Sequence, residues 1–163
     1  MKLSVPVSGV AGVCCPLLYT FNDLETPTNF LSGYAFQRAY LARKYQGSET
    51  AEQLWSPSDL KSSLYEPGTI VTDHFEVVEK TPDRIVVRCG DSPRIREVRE
   101  SDGLFEISAV VKPDEGVAEF GLKSCFFRGL GKAESEPMPS HIVWLHQQYT
   151  KLLSATAIGN VLR

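Results

Sequence analysis

Three groupings in this 163-residue chain have residue types and spacing suited to chemistry. His74 and Glu76 sit two apart in an alternating apolar–polar run, so on a strand both project from one face. A carboxylate beside an imidazole orients the ring and raises its basicity, which suits a general base. Thr72 extends the same row, while Val71, Phe75 and Val77 make the opposite face more apolar. The competing reading is therefore an ordinary solvent-facing row. His146 and Tyr149, three apart, lie near one face of a helical segment. There His146 would act as acid or base, and Tyr149 would donate to a carbonyl or enolate. The alternative is a packed boundary histidine. Arg88, Glu106 and Ser108 fall on neighbouring strand-like runs. Arg88 and Glu106 would pair across the sheet as a structural ion pair, or the rigid Arg88 fork would clamp a substrate carboxylate or phenolate.

The elements that must position these groups follow from periodicity. Leu3–Val7 alternates and reads as a first strand; no apolar run of seven appears before Leu18, so a signal peptide is not expected. Val10–Leu24 is ambiguous, with Pro16 breaking it. Thr28–Tyr45 has helical spacing that brings Phe30, Tyr34, Leu41 and Tyr45 near one face. Ser48 would cap a short helix through Trp55, and Ser56 caps another, with Pro57 first and Asp59 third in it. From Thr69 the period drops to two. Strands are expected at Thr69–Glu79, Arg84–Cys89, Arg94–Glu100, Leu104–Lys112 and Val117–Arg128, with turns at Thr81-Pro82-Asp83, Ser101-Asp102-Gly103 and Pro113–Gly116. A last helix from Ser140 to about Ala155 carries Ile142, Leu145, Tyr149, Leu152 and Leu153 as its apolar stripe, and Gly159 frays its end.

Composition bounds the function. A chain of this length suits one domain, 1–163, with room for a core and a modest cavity. The net charge of −3 disfavours nucleic acid, and no stretch is long enough to span a membrane. Cys14, Cys15, Cys89 and Cys125 form no CxxC pair and no zinc spacing, which points to free thiols in a reducing, cytoplasmic setting and to no metal. Gly129-Leu130-Gly131-Lys132 lacks the full spacing of a phosphate loop. Among the aromatic residues, Tyr34 and Phe126 are candidate walls for a flat apolar ligand.

The order of these elements resembles the START-like, helix-grip (SRPBCC) superfamily, which includes polyketide cyclases and plant pathogenesis-related and sterol-carrying proteins. The resemblance is architectural, spanning Leu3–Val7, Thr28–Tyr65, Thr69–Arg128 and Ser140–Leu153. It implies an α+β fold in which a curved antiparallel sheet grips a long C-terminal helix. Thr28–Tyr65 is longer than the two short helices usual there, which implies extra helices after the first strand. The competing NTF2-like cone usually ends on strands, whereas this chain ends on a helical pattern. The implied function is binding of a small hydrophobic or aromatic molecule in an internal cavity. If the protein is an enzyme, the implied chemistry is cofactor-free cyclisation, dehydration or isomerisation of a polyketide- or terpenoid-like substrate. A non-catalytic carrier and a partner-binding domain are the alternatives, and a homodimer is left open.

Overall fold

Alternating residues from Ile70 onward build one sheet. The computed structural model describes residues 2–6, 33–131 and 138–161. Within them, six strands form an open antiparallel sheet in the order β1-β6-β5-β4-β3-β2. These are β1 (Lys2–Pro6), β2 (Ile70–Val71), β3 (Phe75–Lys80), β4 (Arg84–Cys89), β5 (Ser101–Lys112) and β6 (Val117–Arg128). From β2 to β6 each strand pairs with its neighbour in sequence, and β1 adds to the far side of β6. Among the described residues three helices accompany the sheet: α1 (Gly33–Tyr45), α2 (Pro57–Ser62) and α3 (Ser140–Val161). The expected α+β class, with an antiparallel sheet followed by a C-terminal helix, is what the chain adopts; α3 meets the sheet chiefly along β6. No helix among the described residues is long and apolar enough to cross a membrane. The ambiguous Val10–Leu24 segment, Cys14 and Cys15 lie outside the described residues.

Strand parity decides which side chains face the site. β5 and β6 pair without a break from Ser101↔Arg128 to Lys112↔Val117. Ile85, Val87 and Cys89 of β4 therefore share a face with Gly103, Phe105, Ile107 and Ala109 of β5. Ala118, Phe120, Leu122, Ser124 and Phe126 of β6 join them. This inner face carries the core, in which Leu60 of α2 and Tyr65 pack on Val77, Ile85, Val87, Ile107 and Phe120. Tyr149 and Ile158 of α3 pack against the same cluster. Burying such aliphatic side chains contributes about 1.5–3 kcal/mol each. The outer face bears Arg88, Glu106, Ser108, Lys123 and Phe127.

Five expectations need correction. The single strand Thr69–Glu79 is broken: Thr72 and Asp73 have φ of +54° and +49°, so β2 ends at Val71 and β3 starts at Phe75. Arg94–Glu100 is irregular rather than a strand, because its arginines reach carboxylates on other elements. Ser101-Asp102-Gly103 is the start of β5 and not a hairpin turn. Gly103 is needed there because a Cβ would lie 2.8 Å from the Phe126 ring and 3.1 Å from Cys89 Sγ. Finally, α3 continues through Gly159 to Val161, and its expected stripe is only partly covered, since Leu145 and Leu152 are exposed. Around Ser48 only a single 3-10 turn, Ser48–Thr50, forms. The Ser56 cap stands as read: its hydroxyl accepts from Asp59 N–H at 3.1 Å and its own N–H donates to Asp59 Oδ2 at 2.8 Å.

Candidate ligand-binding cavity

Towards the Gly103 end of the sheet the inner-face residues become small, and a cavity of about 250 Å³ opens between the sheet and α3. Phe75, Phe105, Ile107, Leu122 and Phe126 form its apolar walls. The rings of Phe75 and Phe105 meet edge to face at 5.8 Å. The polar side chains among the described residues are His74, Ser101 and Ser124 from the sheet side, His146, Tyr149 and Thr150 from α3, and Gln37 from α1, none of them a carboxylate. An apolar body with a few convergent polar groups is the usual make-up of a small-molecule site.

His74 reaches the cavity because the chain turns sharply before it. The left-handed backbone at Thr72 and Asp73 is unfavourable for residues with a Cβ, though Asp tolerates it better than most. The turn is held by the buried Asp73 carboxylate. It accepts from Gln53 Nε2 at 3.0 Å, Ser92 Oγ at 3.1 Å and Arg94 Nη2 at 2.9 Å. Gln53 Oε1 accepts in return from Asp73 N–H at 2.7 Å. Burial alone would raise the Asp73 carboxyl, but the bonds from Arg94, Gln53 and Ser92 hold it below the usual carboxylate range. His74 stacks edge to face on Phe75, with centroids 4.7 Å apart. Burial lowers its pKa, reinforced by Arg99 and opposed by Asp91 and Asp73, so the ring is a neutral imidazole at pH 7.

His146 comes from the opposite wall. Its Nδ1 lies 3.3 Å from the Ile142 carbonyl oxygen, one helical turn back. A carbonyl only accepts, so Nδ1 carries the proton of that bond. The Phe126 ring meets His146 edge to face at 5.2 Å. Cys89 also lines the cavity, but burial pushes its thiol up to about 11, so it is no nucleophile at neutral pH.

A second, open groove of about 510 Å³ runs on from the cavity. The two share Leu122, Ser124, Phe126, Met138, His146 and Thr150. The groove adds Lys123, Val143, Gln147 and Lys151.

Of the residues singled out from sequence, the structure brings His74, His146, Tyr149 and Phe126 onto one cavity. Glu76 is not beside His74. It lies on the outer face, buried, with Arg96 Nη1 at 2.7 Å, because the break before Phe75 puts His74 out of strand phase. The expected Arg88–Glu106 pair does not form. Arg88 opposes Leu104 and bonds instead to Asp102, at 3.0 Å from Nε and 2.5 Å from Nη2. Glu106 takes Lys123 at 2.7 Å and Arg84 at 3.6 Å. Ser108 opposes Gly121, where a Cβ would come within 2.6 Å of its hydroxyl. Arg88, Glu106 and Ser108 thus face away from the cavity, since strand alternation sends them to the outer side. Tyr34 belongs to α1, and its side chain lies outside the described residues. Reading the sequence missed Gln37, Ser101 and Ser124. Only Ser124 carried a local signal, as a hydroxyl between Leu122 and Phe126 on the apolar side of β6.

No group of three or more His, Cys, Asp or Glu side chains able to hold a metal occurs among the described residues. Comparison of the chain with family models, curated proteins and solved structures returns no match.

Proposed function

We propose that this protein binds a small hydrophobic or aromatic molecule between the sheet and α3, in the manner of a START-like helix-grip domain. The observation that carries this is the 250 Å³ cavity, where five apolar side chains, three of them phenylalanines, stand beside uncharged hydroxyls, an amide and two imidazoles. Edge-to-face contacts among Phe75, Phe105, Phe126 and the two imidazoles suit a flat ring. The test is a thermal-shift and native mass-spectrometry screen of aromatic and aliphatic small molecules, run beside Ser124→Trp. Ser124 is exposed yet lines both compartments, so an indole there plugs the cavity with little cost to folding. Ligands should stabilise the native protein and leave Ser124→Trp unshifted. A screen with no shift and no bound mass in the native protein would refute the proposal.

One observation favours a catalytic extension. Two imidazoles line a single apolar cavity from opposite walls, and each is a base in its neutral form. The chemistry is proton transfer at an activated carbon, as in cofactor-free cyclisation, dehydration or isomerisation. His146 Nε2 takes the proton, and Tyr149 or His74 donates to the developing enolate oxygen. Deuterium exchange into an aromatic 1,3-diketone, followed by NMR, tests this. Exchange should be accelerated by the native protein and lost in His146→Gln. Equal exchange in the two proteins would leave a binding protein and no enzyme.

A further inference from the structure

Resting on the cavity reading above, we infer that the ligand is an amphipathic anion: an aliphatic or aromatic carboxylate with its apolar body in the cavity and its head in the groove beside Lys151. The two compartments are continuous through six shared residues, and their chemistry differs. The inner one is walled by aromatic and aliphatic side chains. The outer one adds two lysines and an amide, Lys123, Lys151 and Gln147. Among the described residues no aspartate or glutamate lines either compartment, although acids outnumber bases in the chain by 20 to 17. A mouth whose described charged side chains are lysines attracts anions. Lys123 is already engaged by Glu106 at 2.7 Å. Lys151 makes no ion pair with a described residue, and so it is the cation left for the ligand.

Size sets the length of the body. At about 30 Å³ for each water-sized group, the inner 250 Å³ holds about eight non-hydrogen atoms. That is one substituted aromatic ring or a chain of seven or eight carbons. Met138, shared by the two compartments, supplies an adaptable side chain at the neck.

Calorimetric titration of hexanoate, octanoate and decanoate, each beside its alcohol, tests the assignment. Affinity should rise about fourfold per methylene up to octanoate, the fold-change of about 0.8 kcal/mol, and flatten beyond it. Carboxylates should bind about two- to fivefold tighter than the matching alcohols at low salt. Lys151→Gln and high salt should each erase that preference, whereas Lys123→Gln should keep it. Equal affinity for acids and alcohols, or a preference untouched by Lys151→Gln, overturns the anion assignment and leaves the cavity reading intact. Failure of both series to bind overturns the anion assignment, and joined to a ligand screen with no shift it overturns the cavity reading as well.

Discussion

Removing one carboxylate, in Asp73→Ala, tests whether the turn that aims His74 is held from outside its own strand. Asp73 is 1% exposed and accepts from Gln53, Ser92 and Arg94. Two of those donors are neutral, and a hydrogen bond to a charged acceptor contributes about 1.5 kcal/mol. Arg94 is nearly half exposed, so its ion pair adds no more than about 1 kcal/mol. Alanine at φ +49° costs about 1 kcal/mol further. Against these, the variant no longer buries a carboxylate, which returns part of the loss. The net expectation is about 3 kcal/mol, a large share of a typical domain's 5–15 kcal/mol. Urea unfolding followed by circular dichroism reads it as a lower midpoint at unchanged slope. Asp73→Gly separates the contributions. It loses the same bonds without the backbone strain and should recover about 1 kcal/mol relative to Asp73→Ala. A loss below about 1 kcal/mol in Asp73→Ala, or equal midpoints for the two variants, would refute the reasoning.

Three further outcomes follow from the same contacts. Stability should fall on acidification. Asp73 and Asp102 both titrate below their unfolded values, so their contribution is complete above about pH 4 and is lost as pH drops through the folded pKa. His74, also lowered, adds a loss beginning below about pH 6.5, so Tm should be flat from pH 8 to 6.5 and decline below it; a Tm that rises towards pH 3 contradicts this. Under native conditions at pH 8, iodoacetamide should label Cys125, which is exposed, and spare Cys89, whose buried thiol sits at about 11; peptide mapping that finds Cys89 labelled first would reverse the assignment. Gly103→Ala should cost about 1–3 kcal/mol and weaken ligand binding, since the new methyl meets the Phe126 ring at 2.8 Å and displaces a cavity wall; unchanged binding would place the ligand elsewhere.

What the sequence disclosed, and what it hid, depends on the range of the forces. β4 and β6 were legible to the residue, because strict alternation is bounded by a Thr-Pro-Asp turn and by Pro113–Gly116, all local signals. The Ser56 cap was legible for the same reason. Arg94–Glu100 was misread as a strand because alternating charge imitates an edge strand. Its partners are far off in sequence: Asp73 for Arg94 is 21 residues back, and Glu76 for Arg96 is 20 back. His74 and Glu76 were placed on one face because nothing near Thr72 announces a left-handed turn. The groups that hold it, Gln53 and Ser92, are 20 and 19 residues from Asp73. Parity showed that Arg88 shares a face with its cross-strand neighbours, but alternation does not say which face a helix covers. That is settled only when α3 packs against the Ile107 and Phe120 side.

The position of the cavity follows from side-chain size along the inner face. At one end Leu60 and Tyr65 pack onto the core of Ile85, Val87, Ile107 and Phe120. At the other, the register sets Gly103 beside Cys89 and Phe126, and Ser124 beside Phe105. These small residues leave volume that close packing would otherwise remove. The α3 residues over that end are His146, Tyr149 and Thr150, which bring polar atoms, while Ile158 of the same helix packs on the filled core. A sheet that needed only stability would fill both ends, since unfilled volume in a core carries a cost that rises with its size. The charged pairs are segregated on the outer face, at Arg88–Asp102, Arg96–Glu76 and Lys123–Glu106. One face thus fixes the strands by charge while the other keeps an apolar space with two histidines at its margin. From that division, substitutions at Arg88 or Glu106 are expected to lower stability, and those at Ser124, His146 and Lys151 to alter binding of the proposed ligand.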